Sequence, residues 1–445
     1  MMTTKSVDTE NTAVKTAEAT RIVPRCIDGS ALEKTTRRTP TKRAVMWIGQ
    51  TCNLRCYFCY FLNRIADAHH AEHPFMSIEK TKDMCSKLRY YYGCTAIDIQ
   101  GGEPTIYPPI YELISHCRDI GLYPTLISNG LHTAKPGILE QFRDAGLRDF
   151  LFSLHGIGDI HDEVVCRKGS YEKITTSIAR CKELGIPFRF NCTMSKPVVP
   201  ILPQIAEKAV FYGANAVNYI AFNPFEDQET GIRTHDNVPR YSEIIPRLNE
   251  AMEILEDAGI ECNVRYLPLC MAERKFRKNF YNWQQLTYDH HEWDLESWLW
   301  TGMQTQRMKE GGTSPLYRMG PMDRRIYWGD PHGLRDWYEG SLSGKIFFGV
   351  QRFLGKTAQI VRGRETLLRE EAITRARDDV HYHYHEGCQK CSMQSICDGF
   401  HADYASLHGT DEAVPITDEP KTDDPLHYIR EQSKVVEQED KSWAL

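Results

Sequence analysis

From Ala44 onward the chain alternates short apolar runs with longer amphipathic stretches. The apolar runs are Ala44–Ile48, Ala96–Gln100, Pro124–Ser128, Phe150–Leu154, Pro187–Thr193 and Val217–Ala221, each short enough to be a buried strand. Between them, Ser77–Tyr91, Pro108–Ile120, Pro136–Ala145, Tyr171–Leu184, Ile201–Tyr212 and Tyr241–Ala258 carry apolar residues at helical spacing. Ser77, with Lys80 three residues on, and Ser170, before Tyr171 and Glu172, read as N-caps. Gly121, Gly146, Gly185, Gly213 and Gly259 stand where helices should stop. Strands alternating with helices of this length predict parallel strands in right-handed βαβ units. The expected fold is α/β, a partial (β/α)6 TIM-type barrel with its chemistry at the C-terminal ends of the strands.

Outside this alternation the pattern weakens. Residues 1–42 are polar and read as a flexible extension, with the basic run Lys34–Arg43 as a solvated flank. After Ala258 comes one more strand-like run, Glu261–Leu267, followed by Pro268-Leu269-Cys270-Met271. Trp283, Trp293, Trp298, Trp300, Trp328 and Trp337 crowd a stretch broken by Gly311-Gly312, Gly320-Pro321 and Gly329-Asp330-Pro331. The plain reading is an irregular insertion packing its aromatics on the barrel; the functional one is a lid or wall for a ring-shaped or extended substrate. Glu365–Asp379 reads as a charged helix, and His381, His383 and His385 alternate with tyrosines as in a strand. The expected division is an extension (1–42), a core barrel (43–265), an aromatic-rich and auxiliary domain (266–410) and an acidic, polar tail (411–445).

Charge and composition narrow the classes. The formal net charge of −6 gives no reason to expect a nucleic-acid partner. No apolar run reaches the ~20 residues that span a bilayer, and the first residues lack the apolar segment of a secretory signal. A soluble, cytoplasmic protein without a membrane span is expected. Fifteen cysteines are many for such a protein. In a reducing compartment, clustered cysteines read as metal-binding or catalytic. Cys26, Cys85, Cys94, Cys117, Cys166, Cys181, Cys192 and Cys262 are isolated and read as small buried hydrophobes.

Six of the remaining seven cysteines form two groups. Cys52, Cys56 and Cys59 follow the first strand at C-x3-C-x2-C spacing. Three thiolates on one loop can hold three corners of an iron–sulfur cube, leaving one iron open to a small molecule. Cys388, Cys391 and Cys397 follow at C-x2-C-x5-C spacing. The ends of the following strands are polar: Gly101-Gly102-Glu103-Pro104, Ser128-Asn129, Ser153 with His155, and Asn191. Two glycines let backbone approach a ligand closely, and a carboxylate beside them can take an ammonium group. One such strand end is usually only a turn. A whole series of them is not expected from turns alone.

The loop Thr51–Phe61, with Phe58 just before its last cysteine, and the Gly-Gly-Glu-Pro stretch resemble the radical S-adenosylmethionine (radical SAM) superfamily over Ala44 to about Ala221. The resemblance implies a [4Fe–4S] cluster on Cys52, Cys56 and Cys59 whose open iron binds SAM. It implies that the stretch Gly101–Glu103, closed by Pro104, holds the amino group of the SAM methionine. Ser128, Asn129, Ser153 and His155 match positions facing the SAM ribose and carboxylate, and Asn191 faces the same mouth. Arg167 stands where many relatives keep a basic residue for the SAM carboxylate; a surface charge at a helix start is its plain alternative. His155 is the candidate proton donor or substrate contact. For His161, before Asp162 at a helix start, a structural cap role is favoured.

Cys388–Cys397 resembles the C-terminal half of the auxiliary-cluster domains called SPASM and Twitch, in which a further cysteine comes from just after the barrel. Cys270 lies there. One auxiliary [4Fe–4S] cluster on Cys270, Cys388, Cys391 and Cys397 is implied, in the shorter Twitch-like form. A zinc knuckle completed by a histidine from His381–His401 is the rival. The implied function is reductive cleavage of SAM to a 5′-deoxyadenosyl radical that abstracts a substrate hydrogen, with a reductase such as flavodoxin or ferredoxin as partner. A small-molecule or carbohydrate substrate is favoured because residues 1–42 hold no separate peptide-recognition domain. A peptide maturase is the alternative, and a non-catalytic electron-transfer or sensing protein is the reading from another class.

Overall fold

A computed structural model describes residues 33–35, 43–49, 51–59, 73–91, 94–222, 234–282, 341–362, 382–424, 427–432 and 434–436. The six tryptophans of the aromatic stretch, the Glu365–Asp379 helix, His381 and most of residues 1–42 lie outside them.

The core is one sheet of eight parallel strands in sequence order: β2 (Arg43–Trp47), β3 (Ala96–Gln100), β4 (Tyr123–Ser128), β5 (Asp149–Ser153), β6 (Phe188–Met194), β7 (Ala216–Ala221), β8 (Glu261–Arg265) and β9 (Phe280–Tyr281). The helices that join them are α1 (Ile78–Ser86), α2 (Ile110–Asp119), α3 (Ile138–Ala145), the short α4 (Asp159–Val164), α5 (Ser170–Leu184), α6 (Leu202–Tyr212) and α7 (Tyr241–Asp257). The α/β barrel-type fold is the expected one. The sheet is wider than six strands, because β8 and the two-residue β9 extend it. Phe280-Tyr281 is too short to carry a period, so its pairing with Val264 and Arg265 is decided by the sheet edge. The barrel therefore runs past residue 265.

Ser77 caps α1, its Oγ accepting the Lys80 amide at 3.2 Å. Ser170 does not cap α5. The Asp162 carboxylate does, accepting the amides of Gly169 at 2.5 Å and Tyr171 at 2.7 Å. A carboxylate at this end meets both free amides and the positive end of the helix dipole. It comes from another helix, α4, so local spacing could not reveal it. That helix begins at Asp159, ahead of the His161-Asp162 start expected.

The two faces of the sheet differ. Along β6, buried Phe188, Phe190, Cys192 and Met194 alternate with partly exposed Arg189, Asn191 and Thr193. The first set joins the helices in the main core; the second faces inward. The inner face is polar and ion-paired toward the strands' N-terminal ends. Arg43 donates to Asp98 (2.7 Å) and to Thr125 (3.1 Å), Thr125 donates to Asp149, and Arg148 donates to Thr125 (3.0 Å). Arg189 pairs with Asp149 at 2.9 Å. Asp98, Thr125 and Asp149 are register neighbours on successive strands, so one buried row ties β2 to β6. Higher on this face, Ser153, Asn191, Asn218 and Asn263 form a second register row.

The C-terminal part is not a tail from residue 411. Ile416, Tyr428, Ile429 and Gln432 are buried. Gln432 donates to the Cys262 carbonyl (2.5 Å) and to Asn279 (2.7 Å), and Tyr281 donates to Gln432. Arg277 bonds Glu419 and, at 3.0 Å, Tyr428. Helix α9 (Ala402–His408) stacks Tyr404 on Tyr241 at 3.6 Å between ring centroids. A short antiparallel pair joins β1 (Glu33–Thr35) to β10 (Lys434–Val436), so part of the expected N-terminal extension is a strand. These apolar residues are scattered among acidic ones and follow no period, which is why the segment reads as solvated in isolation. Helix α8 (Leu342–Arg362) was not read from the sequence pattern and is the one element among the described residues with many exposed apolar side chains.

Burial pushes the Asp149 carboxyl up, but Arg189, Arg148 and Arg43 more than offset it and hold it below the ordinary carboxylate range. A depressed carboxylate stabilises the fold above its unfolded pKa, and the contribution is lost as pH falls through the lower folded value. Asp149→Asn should cost about 3–5 kcal/mol in urea unfolding at neutral pH, because it leaves buried arginines unpaired. It should also flatten the acid limb of stability below about pH 4. Asp162→Ala should cost about 1–2 kcal/mol through the lost cap.

Candidate functional site

The cysteine loop leaves β2 as irregular backbone and is clamped from several sides. The Glu103 amide donates to the Thr51 carbonyl at 2.9 Å. Gly102 has φ +56° and lies so close to this loop that a Cβ would strike the Thr51 carbonyl. The Glu103 side chain is buried and turned inward. Its Oε1 accepts from the Thr105 amide (3.0 Å), the Thr105 hydroxyl (2.5 Å) and Ser128 Oγ (2.9 Å), and its Oε2 accepts from the Asn129 amide (2.8 Å). Burial raises its pKa, and these four donors offset only part of the rise. Asn129 Nδ2 donates to Asn53 Oδ1 at 2.7 Å and lies 3.9 Å from Cys52 Sγ. Arg167, an exposed side chain, donates to the Asn53 carbonyl at 2.8 Å. Four of the predicted site residues (Glu103, Ser128, Asn129, Arg167) thus hold one another and the loop.

Cys52, Cys56 and Cys59 are brought together, half-buried. Burial, and then the Glu103 charge, push the Cys52 thiol up to about 12, with the Leu54 amide opposing. Cys56 is pushed up by burial, then by Cys59 and Cys52. Thiols crowded in this way are hard to ionise alone and need a cationic centre to hold them as thiolates. The donor set therefore fits an iron–sulfur cluster.

Beside the loop, Ser153 and Asn191 are neighbours on adjacent parallel strands, about 4.8 Å apart. Both are partly exposed on the inner face, and neither side chain forms a hydrogen bond among the described residues. His155 is buried, and its Nδ1 accepts the Thr193 amide at 3.0 Å. The ring is therefore the Nε2–H tautomer. Burial, and then His161, lower its pKa to about 3. His161 accepts the His155 amide on Nδ1 at 3.2 Å, and burial lowers its pKa to about 4. Both rings are neutral at neutral pH, so His155 is no ready proton donor. Its ring meets Phe58 at 4.5 Å, and Phe58 and Tyr57 pack on Phe222 at the end of β7 at 6.3 and 6.0 Å. Sequence reasoning missed Tyr57 and Phe222; only their place at the strand ends marks them. It also misread Cys166, which is exposed, has φ +56° and lies near enough to Cys56 to raise its pKa.

The second cysteine group is assembled across the chain. One cavity is lined by Cys270, Cys388, Cys391 and Cys397 together with Tyr384 and Ile416. Cys270 arrives on a single turn of 3-10 helix after β8, and the other three lie on two short 3-10 turns. Gly399 has φ +87°, and a Cβ there would sit 2.5 Å from the His383 carbonyl, so the turn after Cys397 is closed to other residues. Burial pushes Cys270 up to about 11, opposed by the Val414 amide, and pushes Cys397 higher still. Two histidines of the rival zinc site face other work: His385 Nδ1 accepts the Gly387 amide (3.1 Å) and His401 Nδ1 the Asp403 amide (3.3 Å). Four thiols around one cavity, Cys391 and Cys397 buried and Cys270 and Cys388 half-buried, are a donor set that fits a cluster.

Residues 47–200 match the model of the Radical SAM superfamily. An AdoMet-dependent heme synthase of Oleidesulfovibrio alaskensis is 29% identical over 182 residues, 40% of this chain and 45% of that protein. A PqqA peptide cyclase of Methylorubrum populi is 31% identical over 123 residues, 27% of this chain and 32% of that protein. The chain thus spans less than half the length of these two relatives. Streptococcus suis SuiB bound to S-adenosylmethionine superposes with a TM-score of 0.41 at 16% identity, covering 55% of this chain and 51% of that one. Among the described residues no helix is long and apolar enough to cross a membrane.

The two neutral histidines set a pH dependence. Their folded pKa values lie below the usual 6.5, so between about pH 6.5 and 4 the unfolded chain takes up protons that the folded one refuses. Stability should fall with pH across that window by about 1.4 kcal/mol per unit for each histidine. His155→Gln should remove about half of that slope in urea titrations at stepped pH.

Proposed function

We propose that the protein is an enzyme that reductively cleaves S-adenosylmethionine at a [4Fe–4S] cluster held by Cys52, Cys56 and Cys59. The observation that carries this is the clamped loop: three crowded cysteines held by Glu103, Asn129 and Arg167, with two polar side chains, Ser153 and Asn191, that have no hydrogen-bond partner among the described residues. When bound, the cluster and SAM supply a carbon radical that removes a hydrogen atom from an unactivated position of the substrate. The chain's own residues orient and exclude. Gly101 and Gly102 bring backbone against the loop, where the SAM amino group is received with Pro104 closing the turn. The Glu103 carboxylate retains one free lone-pair site on Oε2 for that ammonium. Ser153 and Asn191 are offered to the ribose and carboxylate. His155 is a positioning residue: its neutral ring, set by Thr193, backs Phe58 and keeps the last cysteine in place. The aromatic group of Tyr57, Phe58 and Phe222 keeps water from the mouth.

Cys270, Cys388, Cys391 and Cys397 are assigned an auxiliary [4Fe–4S] cluster. The substrate is read as a small molecule or carbohydrate in a biosynthetic step, supported by relatives named for heme and for GTP 3′,8-cyclisation. The relative named PqqA peptide cyclase favours the second reading, a peptide maturase.

Reconstituted with iron and sulfide and given a strong reductant, the chain should release 5′-deoxyadenosine from SAM, and Cys56→Ala should release none. A wild-type protein that releases none sinks the enzyme reading. Cys388→Ala and Cys270→Ala should each lose about half the bound iron and sulfide while the first cluster's spectrum remains. Full iron retention in both variants refutes the auxiliary cluster.

A further inference from the structure

Helix α8, Leu342–Arg362, takes no part in the barrel or in the cysteine sites, and none of its residues joins the buried core among the described residues. Its apolar residues are nevertheless ordered. With about 100° between successive residues, Leu342, Ile346, Val350, Phe353, Leu354 and Ile360 fall within about 120° of arc. They are open to solvent: Leu342 is 76% exposed, Phe353 70% and Ile360 85%. Lone exposed apolar residues are ordinary, but a continuous stripe of them over five turns is not.

The charge on this helix is of one sign. It carries Lys345, Arg352, Lys356 and Arg362 and no acidic residue, within a chain whose net charge is −6. Positions 345, 352 and 356 fall in a stripe about 40° wide beside one edge of the apolar arc. Arg362 falls beyond the other edge. No charged position interrupts the arc from first turn to last. Gly344, Gly349 and Gly355 weaken the helix as a free-standing element in water. It gains from lying on a surface that buries its apolar side.

We propose that α8 is an interfacial helix by which this protein docks on an anionic lipid surface. At 21 residues it is about 31 Å long, and it lies along the surface rather than crossing it. Its apolar arc enters the acyl boundary, and its flanking basic positions lie level with the phosphates. A partner with an acidic apolar groove would accept the same face. The lipid surface is favoured because no charged position enters the arc along the whole helix and three basic positions line one of its edges. A second copy of α8 would set basic residues against basic ones.

The test is flotation of the full-length protein with vesicles of phosphatidylcholine alone and of phosphatidylcholine with phosphatidylglycerol. The protein should float with the anionic vesicles, weakly with the neutral ones, and less as salt is raised. Ile346→Glu with Phe353→Glu should abolish flotation. Lys345→Gln and Lys356→Gln, which leave the apolar arc intact, should each weaken it about fivefold. Circular dichroism melting of each variant reports whether the fold survives. Flotation with neither vesicle, or equal flotation before and after Ile346→Glu with Phe353→Glu, overturns the proposal. So does a light-scattering mass that falls from dimer to monomer in that double variant without vesicle binding, which would make the face an interface between copies.

Discussion

The site depends on one buried carboxylate. Glu103 accepts four hydrogen bonds from Thr105, Ser128 and Asn129, while its amide holds the cysteine loop at Thr51. An isolated carboxylate with this little exposure would be very unfavourable, and only a full set of donors makes it tolerable. Those donors come from the ends of β3 and β4, and Asn129 passes the restraint on to Asn53. A loop with no regular structure of its own is thereby held as firmly as a strand. Replacing any of these groups would loosen the spacing of Cys52, Cys56 and Cys59 before touching the chemistry.

The division of the sheet into an apolar outer face and a polar inner face explains where function can sit. Packing against α1–α7 uses one side of each strand, and the pleat gives the other side to the interior. Near the strands' N-terminal ends that interior is filled by the Arg43–Asp98–Thr125–Asp149 row, which closes it with paired charge. Toward the C-terminal ends the row continues as Ser153, Asn191, Asn218 and Asn263, with Asn263 donating to Asn218 at 3.0 Å. The C-terminal module docks on this barrel through Tyr404 on Tyr241 and Gln432 between Cys262 and Asn279. That docking brings Cys270 to a cavity shared with Cys388, Cys391 and Cys397.

Much of this was legible in the chain. Strand and helix periods differ, so the alternation from Ala44 to Ala258 declared parallel β/α units, and with the run Glu261–Leu267 seven of the eight sheet strands were found within a residue or two. The spacing of the cysteines and the Gly-Gly-Glu-Pro stretch are local patterns, and local patterns survive in a sequence. Other features were not legible, for a common reason. Asp162 caps a helix that starts eight residues later; His155 and His161 meet through a backbone amide; Tyr428 and Ile429 are buried against residues far upstream. None of these has a period or a motif.

By itself, the sequence determined the class of fold, the first cluster loop and the polar strand ends, because each depends on neighbours within a few residues. Tertiary structure decided the roles. It turned Glu103 inward as a clamp on the cysteine loop. It made His155 neutral by burying it, gathered four cysteines separated by more than a hundred residues, and left the apolar side of α8 facing out. Burial and long-range contact set those outcomes, and both are properties of the folded chain.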